Sequence, residues 1–211
     1  MPPAGSRLPG RRAVVSRRGR RWLLSALLLA VAMAAGCGRV PKVIVLEDPL
    51  SAEEHVALGV AYEGKGEPAL AAREYERALK KDGASFRARF NLGNVRLSEK
   101  RYGAAREEYL KALDLRPGDP EATNNLSWAA ILSGRGREEA LLLLQAVMSD
   151  PSKRPLPLLD TLGVLLAELS RPSEAREAFA EAVRRCADGD PACTESVRKD
   201  LREHGNALRG R

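Results

Sequence analysis

Aromatic residues are scarce: nine of 211 are Phe, Tyr or Trp, 4% of the chain. That is below what an aromatic-rich β-sandwich or barrel normally holds. Histidine is scarcer still. His55 and His204 lie far apart, and the three cysteines form no cluster with them, so no zinc or haem ligand spacing is present. A Gly-rich phosphate loop and a nucleophile elbow are also missing. Carboxylates are plentiful, but pairs such as Glu107-Glu108 and Glu138-Glu139 fall on solvated helix faces. The chain therefore reads as a non-enzyme with no catalytic residues, no metal and no cofactor. Acid is absent from residues 1–36, which carry seven Arg; without them, 28 basic groups balance 28 acidic ones. The net charge of +7 thus belongs to the N-terminal segment. The remainder lacks the basic surplus that phosphate binding needs, which argues against nucleic acid as a partner. Ala, Leu, Glu and Arg are abundant, and these favour helices.

Long apolar runs are also lacking. Residues 22–35 form a run of 14, whereas a membrane-spanning helix needs about 20. Behind an Arg-rich start, this run matches the apolar core of a secretory signal. It ends in Ala34-Ala35-Gly36-Cys37, which resembles a bacterial lipobox with Ala34 in place of the usual Leu. The resemblance implies removal of 1–36 and acylation of Cys37. An ordinary signal peptide and an uncleaved inner-membrane anchor are the alternatives. Arg17-Arg18 and Arg20-Arg21 are not cleanly spaced for twin-arginine export, so the general secretory route is expected. Two or more acyl chains anchor a protein stably, where one holds it only marginally. Gly38, which is not Asp, leans towards the outer membrane in the enteric sorting scheme. The expected location is the cell envelope, facing the periplasm. Residues 37–51 read as the lipidated Cys and a tether. Their apolar run Val43-Ile44-Val45-Leu46 fits either a strand or packing on the first helices.

Self-similarity dominates the rest. Leu58-Gly59, Leu92-Gly93, Leu126-Ser127 and Leu162-Gly163 recur at spacings of 34, 34 and 36. In step behind them come Ala71, Tyr75 and Ala78; Ala105, Tyr109, Ala112 and Pro117; and Ala175, Phe179 and Ala182. This period and these residue types resemble the tetratricopeptide repeat (TPR). The resemblance implies an all-α solenoid of four helix-turn-helix repeats, 52–85, 86–119, 120–153 and 156–189, with 190–211 as a capping helix and tail. Small residues at positions eight and twenty thin the crossing of the two helices in a repeat, and a large residue at position twenty-four fills the gap beside it. Stacking then buries what one pair cannot. The third repeat is degenerate, with Ser127 for Gly, Glu139 for Ala and Ala140 one residue late. Its run Leu141-Leu142-Leu143-Leu144 is either buried on several sides or in part a docking surface. Pro191 is expected to start the cap helix, running to His204, with 205–211 as a frayed tail.

Cys186 and Cys193 flank the turn into the cap. Exported proteins meet an oxidising compartment, so a disulfide is expected, with two free buried thiols as the alternative. His55, at the fourth position of repeat one, falls where packing residues normally sit.

By the same resemblance, positions two, five, nine and twelve of each first helix face inward. In repeat one these are Glu53, Val56, Val60 and Glu63, and in repeat four Pro157, Asp160, Val164 and Ala167. The middle repeats place Phe90, Asn94 and Leu97 beside Asn124, Trp128 and Ile131. An apolar strip with amides suits an extended peptide or partner helix, and Trp is a common anchor in such interfaces. These six residues are the expected partner-binding groove. Trp128 covered by a neighbouring repeat, with the strip as core, is the competing reading. Lipobox, repeats, Cys pair and cap together resemble envelope TPR lipoproteins, distantly the type IV pilus-assembly lipoproteins that help a secretin channel assemble. The implied function is an assembly scaffold for a secretin or pilus. An adaptor that docks periplasmic proteases or peptidoglycan hydrolases is the alternative.

Overall fold

The structure is a computed structural model that describes residues 48–149 and 154–207. The expected leader, Cys37 and residues 43–46 lie outside the described residues. Among the described residues there are nine helices and no strand: α1 (Ala52–Gly64), α2 (Pro68–Lys81), α3 (Phe86–Ser98), α4 (Tyr102–Leu115), α5 (Pro120–Ser133), α6 (Arg137–Val147), α7 (Leu156–Glu168), α8 (Pro172–Ala187) and α9 (Glu195–Ala207). Eight of them pair consecutively into four hairpins and α9 follows alone. The all-α fold read from the period is the fold observed. No described helix is long and apolar enough to cross a membrane.

Local chemistry sets the helix starts. Ser51 and Glu54 form a reciprocal capping box at α1, satisfying two otherwise unpaired backbone donors. The Asp119 carboxylate accepts from the Ala122 N–H at 2.9 Å at α5. Proline occupies the first turn of α2, α5, α7 and α8, where its missing N–H costs nothing. Each hairpin turn carries a left-handed residue, Gly66, Lys100, Gly134 and Ser170, at φ of 73°, 60°, 70° and 57°, and the third turn adds Gly136.

The pairs are closed by one repeated contact. A Cβ added at Gly59, Gly93 or Gly163 would lie 2.5 Å from the ring of Tyr75, Tyr109 or Phe179. The ring at position twenty-four therefore rests on the bare backbone of position eight. Ala71, Ala105 and Ala175 beside it, and Ala78, Ala112 and Ala182 toward the next pair, have no exposed surface.

The third repeat lacks a ring at position twenty-four, and the side chain that glycine omits elsewhere returns. Ser127 is fully buried, its hydroxyl donating to the Thr123 carbonyl at 2.8 Å. Helix α5 has 14 residues where α1, α3 and α7 have 13. This pushes α6 one residue late, and Gly136 at φ 71° completes the turn. Ala140 and Leu144 consequently fill the buried positions at 1% and 0% exposure, while Glu139 turns outward. Of the leucine run, Leu141 is buried, Leu143 half-buried and Leu142 exposed.

Two expectations are corrected. Val56 is buried, 2% exposed, within the cluster of Ala71, Tyr75, Ala88 and Leu92, so it does not line an open face. The cap helix begins at Glu195, not Pro191, and reaches Ala207. Cys186 and Cys193 are joined by a disulfide with Cα atoms 5.2 Å apart, and the bridged segment is spent on a turn. Asp190 organises that turn by accepting from the Cys193 N–H through its carbonyl and from the Ala192 N–H through its carboxylate, both at 2.9 Å. The Ala192 N–H, helped by Arg185, holds the Asp190 carboxyl below its ordinary range. Thr194 Oγ1 then accepts from the Val197 N–H at 3.3 Å, capping α9.

His55 is fully buried, its Nδ1 2.8 Å from Glu74 Oε2, and Glu74 also pairs with Arg77 at 2.7 Å. It ties α1 to α2 as a packing residue.

The ring-on-glycine contact makes a specific demand. Gly93→Ala should destabilise the protein by about 1–3 kcal/mol through overpacking, measured by urea denaturation. Ser127→Ala, at the equivalent ringless crossing, should cost less than about 1.5 kcal/mol, since it removes one internal hydrogen bond.

Candidate protein-binding groove

Successive first helices touch one another, α1 with α3, α3 with α5 and α5 with α7, while successive second helices make no such contact among the described residues. The first helices therefore line the tighter side of the stack.

The six expected groove residues all lie on this side, and all six are half-buried. Phe90 stacks on Phe86 with ring centroids 5.8 Å apart and meets Tyr109 at 6.0 Å. Leu97 packs against the same cluster, and Ile131 against the C-terminal one. Trp128 lies 6.2 Å from the ring of His204, which comes from α9 and not from a neighbouring repeat. Each side chain thus gives one face to packing and keeps another for solvent. Neither a bare strip nor a closed core describes the arrangement.

The amides do more than line the surface. Asn94 Oδ1 accepts from the Tyr109 hydroxyl at 2.8 Å and from Asn125 Nδ2 at 2.9 Å. Asn124 Nδ2 donates to Asn125 Oδ1 at 3.4 Å, and Thr161 Oγ1 donates to Asn124 Oδ1 at 2.7 Å. A ladder of hydrogen bonds therefore crosses from repeat two through three to four. Burial pushes the Tyr109 phenol well above its ordinary value, so it stays a neutral donor. Asn94 Oδ1 already accepts twice and Asn124 Oδ1 once, so N–H hydrogens outside the ladder are the larger part of what the two amides offer a bound backbone.

Asn125 and Thr161 were not among the sequence candidates. Two adjacent amides in an otherwise Ala- and Leu-rich helix were the available signal, because burial is tolerated there only with partners. The sequence places His204 in the cap. Its spacing from Val197 and Leu201 puts it on the same helical face, which would have marked it as a contact residue.

At the ends of the row, Glu53, Val60, Glu63, Arg87, Glu121 and Pro157 are exposed, and Asp160, Val164 and Ala167 half-buried. Among the described residues no group of three or more His, Cys, Asp or Glu could hold a metal ion.

Residues 56–120 match the family model of the tetratricopeptide repeat. The matched segment is of the tetratricopeptide-repeat type. Over 75 residues the chain is 40% identical to the type IV pilus assembly protein PilF of Pseudomonas aeruginosa. That stretch covers 35% of the chain and 30% of PilF. The fold is similar to the solved structure of P. aeruginosa PilF, with TM-score 0.59 and 24% identity over 75% of this chain and 69% of that one. It is also similar to YrrB, described as a TPR protein with an unusual peptide-binding site, with TM-score 0.58 and 18% identity over 75% and 87% of the two chains.

The ladder and the row separate by measurement. Asn125→Ala leaves Asn94 and Asn124 each short of a partner and should cost about 1–3 kcal/mol of stability. Trp128→Ala removes a half-buried ring and should cost less than the roughly 3–5 kcal/mol of a buried aromatic. Thermal melts of both variants test this order.

Proposed function

We propose that this protein is a non-enzymatic scaffold, lipid-anchored through Cys37 in the bacterial envelope, that assists assembly of a secretin or type IV pilus. The observation that carries the binding reading is the half-buried row Phe90, Leu97, Trp128 and Ile131 beside Asn94 and Asn124 on successive first helices. Large side chains that keep a free face, with amide N–H groups between them, match an extended segment whose backbone offers carbonyls and whose side chains seek apolar pockets. The choice of machine leans on the 75-residue likeness to a pilus assembly protein. The envelope location leans on the lipobox-like run before Cys37.

Two measurements test the parts separately. Cys37→Ser should move the protein from the membrane to the soluble fraction after a carbonate wash, and retention in the membrane overturns lipid anchoring. Deleting the gene in its host should leave the secretin monomeric on mild gels. The parent sequence should restore the multimer and Trp128→Ala should not, because losing a central aromatic anchor typically costs 2 kcal/mol or more, roughly a 30-fold loss of affinity. Secretin multimers that persist without the protein overturn the secretin and pilus reading and turn attention to adaptor roles at proteases or peptidoglycan hydrolases.

A further inference from the structure

The last helix reaches further than closing the stack requires. Its apolar stripe is narrow: Val197, Leu201 and His204 share one face, and of these only Leu201 is buried. From that stripe, His204 Nδ1–H donates to Asp160 Oδ1 at 2.9 Å. The imidazole lies 6.2 Å from the ring of Trp128 and 6.3 Å from that of Phe179. Asp160 and Trp128 belong to the row along the first helices, on α7 and α5. The end of α9 therefore sits on the partner-facing side, two repeats back from its own place in the stack.

We propose that α9 is a releasable latch over the fourth-repeat end of the groove. It is closed by His204 between Asp160 and Trp128, and a partner segment displaces it to reach the indole. The proposal rests on the reading of this face as partner-binding. Three features favour release over permanent closure. The helix is anchored by one buried side chain. The disulfide and the Asp190 turn hold only its start. The ion pair is half open to water, with the His204 side chain 32% exposed.

The latch is also sensitive to pH. Groups around the imidazole are Asp160 on α7, and Asp200 and Glu203 on α9. Glu203 lies 3.8 Å from Lys199. Arg176 of α8 lines the crevice formed by Phe179, Leu201 and Gly205, and α5 contributes the Trp128 indole. The hydrogen bond to Asp160, followed by the charge of these carboxylates, raises the His204 pKa above its ordinary 6.5. A raised histidine contributes fully below its unfolded value and loses its contribution as pH climbs through the folded one. The latch is thus tight in mild acid and loosens on the alkaline side.

The test uses the full chain carrying Trp22→Phe, which leaves Trp128 as the sole tryptophan. Between pH 5 and 9, Trp128 emission should rise in one step with a midpoint above 6.5, since a neighbouring imidazolium quenches indole. Acrylamide quenching should become at least twofold more efficient across the same step. His204→Gln should abolish the step and show the alkaline emission at every pH, and Asp160→Asn should move its midpoint down. Amide exchange of residues 195–207 should be faster in His204→Gln than in the parent, with the repeats unchanged. A step that survives in His204→Gln, or identical exchange of 195–207 in both proteins, overturns the latch. The groove reading fails on a different result, a Trp128→Ala protein that still restores secretin multimers, which leaves this titration untouched.

Discussion

Everything in the stack depends on an aromatic ring resting on a glycine. At Gly59, Gly93 and Gly163 the ring of Tyr75, Tyr109 or Phe179 occupies the space a methyl group would need. The contact brings the two helices of a pair close enough for alanines to form the rest of the crossing. Dispersion between close surfaces, summed over many atom pairs, then supplies the cohesion. Because the pair is thin at its crossing, the next pair seats against it through Ala78, Ala112 and Ala182, all fully buried. Only then do neighbouring first helices touch, and only then does a row of side chains run continuously from one repeat to the next. The third repeat obeys the same constraint by another route. With no ring to accommodate, position eight carries serine, and a longer α5 shifts α6 until Ala140 and Leu144 take the buried positions.

Much of this fold was legible in the chain because the constraint is local and periodic. Gly93 and Tyr109 lie sixteen residues apart in every regular copy, so spacing alone exposes the pair. The one-residue slip in repeat three was also visible, as Ala140 falling late. What spacing could not reveal is where a helix begins when covalent geometry intervenes. Pro191 is a good first residue for a helix, but the loop from Cys186 to Cys193 must turn before α9 starts, and Asp190 commits its carboxylate to that turn. Val56 failed for a different reason. Position five faces inward in an array, but which inward positions stay open depends on how closely the next pair approaches, and no single chain pattern encodes that.

The candidate site was legible in part, and the reason lies in how its residues are shared. Phe90 and Trp128 are large and periodic, so they announce themselves. The hydrogen bonds of Asn94 and Asn124 do not, since their partners Tyr109, Asn125 and Thr161 come from other helices. Those bonds decide what the amides can offer. An asparagine whose oxygen is already engaged presents its N–H groups to a ligand and is held in one orientation by the ladder. Preorganisation of that kind lowers the entropy cost of binding. The same bonds couple repeats two, three and four, so the proposed partner-binding surface is also part of what keeps the repeats in register.

The most lightly anchored helix among the described residues lies beside the groove. In a repeat stack each unit is stabilised mainly by its neighbours. Among the described residues the α9 backbone packs on α7 and α8 alone. Helix α9 adds little of its own: one buried leucine, a half-buried valine and a half-buried histidine. Local opening free energies run from near zero at such edges up to the global value in the core. A contact at His204 can thus be made and broken without disturbing the ring-on-glycine crossings, and the nearest of these, Gly163 with Phe179, belongs to the repeat it leans on. The disulfide keeps the start of α9 at hand while its far end moves. Motion confined to the last turns of one helix is sufficient to cover or uncover Trp128, and the rigid repeats supply the surface on which that motion has a consequence.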